Sequence, residues 1–387
     1  MTHMLYHTIR GIHYETGQPV AVRIQDGLIA AIELLEPRDA ELLLFVAPGL
    51  TDLQVNGYRG YDFNGLPPEV AEVSACASLL LAQGVTTFFP TVITNHPEQM
   101  KASLAAIDAA CRASATAAAC IGGIHLEGPF ISPLDGPAGA HDRAFVRPPD
   151  WPLFEELFRA SGERIRIITL SPEWPGAPAF IRRCTALGVL VSIGHTAAGS
   201  AAIGAAADAG AVMSTHLGNG AHPVLPRHPN YIWDQLADDR LAAGFIADGF
   251  HLPPAVMKVI CRVKGDRAIL VSDSVSLAGM PPGAYRTPVG GDVVLTGEGK
   301  LHVAGHEHRL AGSAQTLLTG VANLVQAGIC NRGIAWNRGS VAANRLLNQP
   351  HGLQTGAPAD LVLFSEVAGK YIVEATWKAG VRRYPST

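Results

Sequence analysis

Eight short apolar runs constrain this chain more than any other feature. They span 46–55, 85–90, 120–127, 165–171, 189–195, 212–216, 241–248 and 268–273. Each is followed by a polar or glycine-rich break and then by a stretch suited to a packed helix. Residues 71–82 and 201–209 are alanine-rich in this way. Strands alternating with helices imply a parallel sheet. Eight such units, each of roughly thirty residues, imply a closed α/β barrel of the (β/α)8 TIM-like kind. An open doubly wound sheet is the alternative. No GxGxxG follows the first run, so a dinucleotide site has no support.

The chain has 387 residues, and a barrel takes about 250 of them. The remainder suffices for one small domain. Both ends look β-rich. Residues 20–25 and 28–32 flank Asp26-Gly27 as a hairpin flanks a tight turn. Residues 360–364 and 371–377 also read as strands. The expectation is a small β-sandwich domain built from 1–47 and 352–387, with a catalytic barrel over 48–351.

Only 16% of residues are charged and the net charge is −4, so no basic stripe marks a nucleic-acid binder. No apolar run is long enough to span a bilayer, and the first residues lack a signal-peptide core. The six cysteines are scattered with no CxxC pair. They read as small core residues of a reduced, cytoplasmic protein.

Polar residues gather where the runs end. The first run leads into Gln54 and Asn56, and the third ends at Glu127. The fifth ends at His195, the sixth at His216, the seventh at Asp248 with His251 beyond, and the eighth at Asp273. In a barrel all these ends surround one opening, where barrel active sites lie. Alone, a strand-end histidine is more often a hydrogen-bonded structural residue, and a lone carboxylate often caps a turn or helix. Glu, His, His and Asp at four strand ends together are not readily explained that way. One carboxylate and two imidazoles supply three ligands and leave a fourth position for water, which is the catalytic type of zinc site. Zinc lowers the pKa of bound water to about 7. Asp273 is then free to accept a proton and return it to a leaving nitrogen.

These residues resemble a known family. Residues 48–57, Pro-Gly-Leu-Thr-Asp-Leu-Gln-Val-Asn-Gly, look like the first-strand motif of the amidohydrolase superfamily. That motif usually carries two metal-binding histidines where this chain has Gln54 and Asn56. With His125-Leu126-Glu127-Gly128-Pro129-Phe130, the substitution is similar to the N-acetylglucosamine-6-phosphate deacetylases. The resemblance runs from Asp26-Gly27 to 360–363. It implies that Glu127, His195 and His216 are metal ligands and that Asp273 is the acid/base. It implies that His141, beside Ala140, polarises the acetyl carbonyl. Asn219 and Gly220 match a loop touching the sugar phosphate, and His251, with Asp248 beside it, matches a further contact. Arg227 matches a phosphate-binding arginine reaching in from the neighbouring subunit, hence a homodimer. Leu310, Ala311 and Gly312 match a late loop that closes over the substrate.

Neutral amides are poor ligands beside imidazoles. Gln54 and Asn56 therefore point to one divalent ion per subunit, zinc before iron, cobalt or manganese. The substrate implied is N-acetylglucosamine 6-phosphate. The loop over 217–231 departs from the family's usual sequence, so N-acetylgalactosamine 6-phosphate or an unphosphorylated N-acyl compound stays open. A non-catalytic barrel would typically have lost a ligand or the acid/base, and all four are present. Among the other histidines, His222 and His228 read as loop residues, with phosphate contacts as the alternative. His3, His7, His13, His96, His302, His306, His308 and His351 read as surface or β-domain residues.

Overall fold

The structure, a computed structural model, describes residues 6–36 and 44–385. His3 lies outside the described residues. Eight parallel strands occur in chain order within one sheet: Leu50–Val55, Val85–Ile93, Ile124–Glu127, Ile165–Leu170, Leu190–Ile193, Ala211–Ser214, Ala242–Ile246 and Ala268–Val271. The first and last strands meet to close the cylinder. Val55 bridges Ser274 in parallel. The Asn56 and Gly57 amides both donate to the Ser274 carbonyl, at 2.8 and 3.1 Å. Asp52 reinforces the seam, its Oδ1 accepting from the Ser272 amide at 3.1 Å. The chain therefore forms the expected TIM-like barrel.

Strands covered on both faces bury every side chain, which is why the runs read as continuously apolar rather than alternating. Leu50–Val55 and Val85–Ile93 are buried at every position. Leu53, Phe89, Ile167, Met213, Ile246 and Ile269 form one core cluster, and the outer strand faces pack on the helices. Helices follow the strands with ordinary start signals. Asp150 accepts from the Leu153 amide ahead of Trp151–Ala160, and Asn230 accepts from the Ile232 and Trp233 amides ahead of Tyr231–Ala237. All six cysteines are free, and five are buried.

The first apolar run differs from its expected form. It divides at Gly49 into Phe45–Pro48, which joins the terminal sheet, and Leu50–Val55, which joins the barrel. The reason is steric. A Cβ at Gly49 would lie 2.1 Å from Thr86 Oγ1, so only glycine lets the chain pass between the sheets here.

The termini form one seven-stranded sheet. Its order is Val381–Tyr384, Lys370–Lys378, Leu361–Val367, Phe45–Pro48, Tyr6–His13, Pro19–Gln25, Leu28–Leu34. The expected sandwich thus takes the form of a single sheet curled over a core of Ile9, Val22, Ile24, Ile29, Leu361 and Trp377. Asp26 and Gly27 both have positive φ, as the tight turn requires. Leu28 bridges back to Pro358, which brings the two termini together.

One element has no counterpart in the sequence reading. After the eighth barrel strand, Gly283–Thr287, Gly291–Leu295, Leu301–Val303 and His306–Leu310 make a four-stranded antiparallel sheet. It has its own small core of Leu277, Val293, Leu295, Leu301 and Ala314. Leu310–Gly312 leaves this sheet on the side of the barrel mouth.

Candidate active site

The barrel delivers Glu127 as the last residue of its third strand. His195, His216 and Asp273 follow the fifth, sixth and eighth strands by two residues. These three share an unusual backbone, with φ of 48°, 27° and 48°. Non-glycine residues in the left-handed region cost about 1–3 kcal/mol each and persist only where the surroundings over-determine them. Such strain clusters at functional sites. Glycines make room for the rings. A Cβ at Gly220 would lie 2.7 Å from His195 Nδ1, and one at Gly139 would lie 3.2 Å from His195 Cε1.

Three donor atoms converge. Glu127 Oε1 lies 3.2 Å from His195 Nε2 and 3.1 Å from His216 Nε2, and the two nitrogens are 3.0 Å apart. His195 Nδ1 is 2.8 Å from the Pro137 carbonyl. A carbonyl only accepts, so Nδ1 carries the hydrogen and a neutral ring presents a bare Nε2 lone pair to the carboxylate. Two lone-pair atoms facing each other are satisfied by a cation. Gln54 adds a buried Oε1 with no hydrogen-bond partner. The donor set and its orientation thus fit a divalent metal. Glu127, His141 and His195 also offer ligand atoms within 4.8 Å of one another. His141 Nε2, however, is 4.0 Å from Glu127 Oε2. The shorter separations make His216, rather than His141, the third member of the set.

The electrostatics agree. Burial would raise the Glu127 carboxyl, but the adjoining imidazoles of His195 and His216 hold it well below the ordinary range. Gln54 Nε2 donates to its Oε1 at 2.9 Å. Asp273 behaves differently. Burial, then the Glu127 charge, push it up to about 6. Asn56 Nδ2 donates to its Oδ1 at 2.7 Å and fixes its orientation. Burial and the nearby His195 drop His141 to about 3, so its ring is neutral at physiological pH. Its Nδ1 lies 2.9 Å from Thr94 Oγ1.

These groups open into a cavity of ≈ 1300 Å³. Glu127, His141, His195, His216 and Asp273 line it. Ala140, Asn219, Gly220, His251, Leu310, Ala311 and Gly312, all singled out from the sequence, line its walls. Two other residues do not reach it. Asp248 sits behind His251 rather than at the opening. Its Oδ2 lies 2.6 Å from His251 Nδ1, and its Oδ1 accepts the Phe250 and His251 amides. A short buried carboxylate at a strand end is used up by the turn that follows it. Arg227 is exposed and does not line its own chain's cavity.

Other residues at the cavity carried no sequence signal. Arg143 and Arg309 bring guanidinium groups to its wall, and His222 and His308 line it too, so His308, expected at the surface or in the β domain, corrects to a cavity residue. His222 and Arg143 sit in loops with no apolar period, and Arg309 and His308 sit in the unforeseen four-stranded sheet. Asn64 is a further addition, donating to the Thr91 carbonyl and lying 3.3 Å from Asn56 Oδ1. The remaining described histidines stay outside the cavity. His351 is buried at the opposite end of the barrel, bonded to the Gly49 carbonyl and Ser340 Oγ.

No protein-family model matches the chain. The human N-acetylglucosamine-6-phosphate deacetylase is 33% identical over 354 residues, which is 87% of this chain and 85% of that protein. The N-acetylgalactosamine-6-phosphate deacetylase of Escherichia coli O157:H7 is 34% identical over 309 residues, covering 79% of each. Among solved structures, a mutant N-acetyl-D-glucosamine-6-phosphate deacetylase from Mycobacterium smegmatis superposes with a TM-score of 0.84 at 29% identity. The match covers 98% of this chain and 99% of that one, which was solved in complex with N-acetyl-D-glucosamine-6-phosphate.

Proposed function

The chain belongs to the N-acetylglucosamine-6-phosphate deacetylase family of the amidohydrolase superfamily, and we propose that it hydrolyses N-acetylglucosamine 6-phosphate to glucosamine 6-phosphate and acetate. The observation that carries this reading is the convergence of Glu127, His195, His216 and Asp273 on one cavity. A divalent ion held by Glu127, His195 and His216, zinc by preference, would lower the pKa of a bound water to about 7 and polarise a carbonyl.

The chain's own residues supply the proton chemistry. Asp273, held by Asn56, accepts the proton of the attacking water and returns it to the leaving amine. In the tautomer with its hydrogen on Nε2, neutral His141, placed by Thr94 Oγ1 at 2.9 Å from Nδ1, offers that hydrogen to the acetyl oxygen. Asn219, Gly220 and His251 hold the sugar phosphate, and Leu310–Gly312 covers it. Gln54 and Asn56 spend their amide hydrogens on Glu127 and Asp273, which favours one ion per subunit.

The enzyme works as a homodimer in this reading. Arg227 is exposed, three residues beyond Val224 of the cavity wall, and is suited to serve a second copy. Trp233, Val256, Val259 and Val263 are exposed on Tyr231–Ala237 and Pro254–Lys264, two helices that touch. No helix among the described residues is long and apolar enough to cross a membrane. The free cysteines support a cytoplasmic location. The same reading keeps 48–351 as the catalytic barrel and assigns 1–47 with 352–387 to the β domain.

The relative named an N-acetylgalactosamine-6-phosphate deacetylase favours a second reading with the galacto epimer as substrate. One assay tests both: acetate release from the two N-acetylhexosamine 6-phosphates and from the free sugars. Fastest release from the gluco phosphate is expected. Release from neither phosphate overturns both readings.

A further inference from the structure

Glu173 follows the fourth barrel strand and does not line the cavity. Its carboxylate nevertheless draws three loops of the mouth together. Ser132 Oγ, after the third strand, donates to Oε1 at 2.8 Å. Ser171 Oγ, after the fourth, donates to Oε2 at 2.8 Å. The Ala197 amide, after the fifth, donates to Oε2 at 2.7 Å. All three loops carry or brace His195. Ala197 is two residues beyond it. The Ser132 amide donates to the His195 carbonyl at 2.9 Å. Ser171 Oγ also lies 2.7 Å from Thr196 Oγ1, on the next residue.

His195 needs such bracing. Its φ of 48° is one that a histidine adopts only when held there. Its ring direction follows from that backbone, because the Cα–Cβ vector turns with φ. A carboxylate is suited to the task. Being acceptor-only, it takes two hydroxyls and an amide at once, and its charge strengthens each bond. An alanine there would leave the Ala197 amide and the Ser132 hydroxyl without their acceptor.

We infer that Glu173 is a positioning residue that holds His195 in its metal-ligating pose, an inference resting on the metal reading above. It touches neither substrate nor reacting atoms. Its effect should appear in metal affinity, and not in the chemical step once metal is bound.

The test uses the full chain, stripped with a chelator and titrated calorimetrically with zinc, alongside acetate release at saturating zinc. Outer-shell partners of metal ligands are typically worth about 10–100-fold in affinity. Glu173→Ala should therefore weaken zinc binding about tenfold or more, with kcat recovered when zinc is saturating. Ser132→Ala, which removes one strut and keeps the charge, should weaken it by less. Zinc affinity within about twofold of wild type in folded Glu173→Ala overturns the inference, as does a kcat that stays low at saturating zinc. If Glu173→Ala does not fold, unchanged affinity in Ser132→Ala overturns it. A wild-type chain that takes up no zinc, manganese, cobalt or iron defeats the metal reading itself. Normal uptake by wild type and variants alike defeats only the role of Glu173.

Discussion

The two ends of the barrel use the same kinds of residue for opposite purposes. At the mouth, His195 and His216 are buried with their Nε2 atoms crowded onto one carboxylate oxygen. Their backbones are strained. At the floor, His351 is equally buried, yet its Nε2 meets the Gly49 carbonyl at 2.9 Å and Ser340 Oγ at 3.0 Å. Nearby, Trp336 Nε1 donates to the Pro48 carbonyl, and Arg338 reaches the Gly265, Ala268 and Cys261 carbonyls. The floor pairs the His351 and Trp336 nitrogens and the two terminal Arg338 nitrogens with oxygens, leaving Arg338 Nε without a partner, and joins barrel to terminal sheet. The mouth leaves atoms competing, and so keeps them available to a ligand. Burial alone does not separate a functional histidine from a structural one, whereas the partner of each nitrogen does.

The hardest test of that contrast is Asp273→Asn. The amide keeps the size of the carboxylate but can neither accept nor return a proton. General acid–base catalysis contributes about 10²–10⁴-fold, and kcat should fall by that much. Zinc stoichiometry and thermal midpoint should stay near wild type. A variant that keeps near-normal turnover would remove Asp273 from the chemistry. His216→Ala should act through the metal instead. Its loss of zinc affinity should exceed the ~10–100-fold typical of outer-shell changes, measured by titration against a competing chelator. Gln54→Ala removes the donor to Glu127 together with the unpartnered Oε1 beside it, so a loss of about tenfold is expected in kcat/KM. If all three variants lost stability in proportion to activity, the mouth would be no different in kind from the floor.

How far the sequence discloses all this depends on what each feature rests on. The barrel strands are buried on both faces, so their residues form apolar runs visible without tertiary information. The site residues end those runs, and strand-end position is geometric in a barrel. Glu127, His195, His216 and Asp273 were legible for that reason. Sequence reading fails where burial is partial. Gly283–Thr287 alternates only between half-buried and exposed, so the four-stranded sheet leaves no clear period, and Arg309 and His308 go unseen with it. It also fails where one run serves two sheets, as at Gly49. Asp248 and Glu173 show the remaining limit. Each is a carboxylate close behind a barrel strand. One is consumed by the local turn and the other braces three loops, and only hydrogen-bond partners tell them apart.

The smallest effect concerns the floor and takes the form of a pH dependence. Burial lowers the His351 pKa from its ordinary value, more than the Gly49 hydrogen bond raises it. The unfolded chain therefore binds a proton near pH 6.5 that the folded chain refuses. Stability is intact above that pH and falls as the solution is acidified through it. One such proton is worth at most about 1.4 kcal/mol per pH unit. His351→Gln keeps a donor for the Gly49 carbonyl without the titration. It should flatten the fall in thermal midpoint between about pH 6.5 and 5.5 while leaving kcat at neutral pH unchanged. His125 and His141, lowered to about 4 and about 3, respond in the same direction, so the slope should shrink and not vanish. An unchanged slope would mean that the folded and unfolded chains protonate His351 alike over this range. A loss of kcat at neutral pH would mean that the floor reaches the chemistry after all, and the division between the two ends would fail.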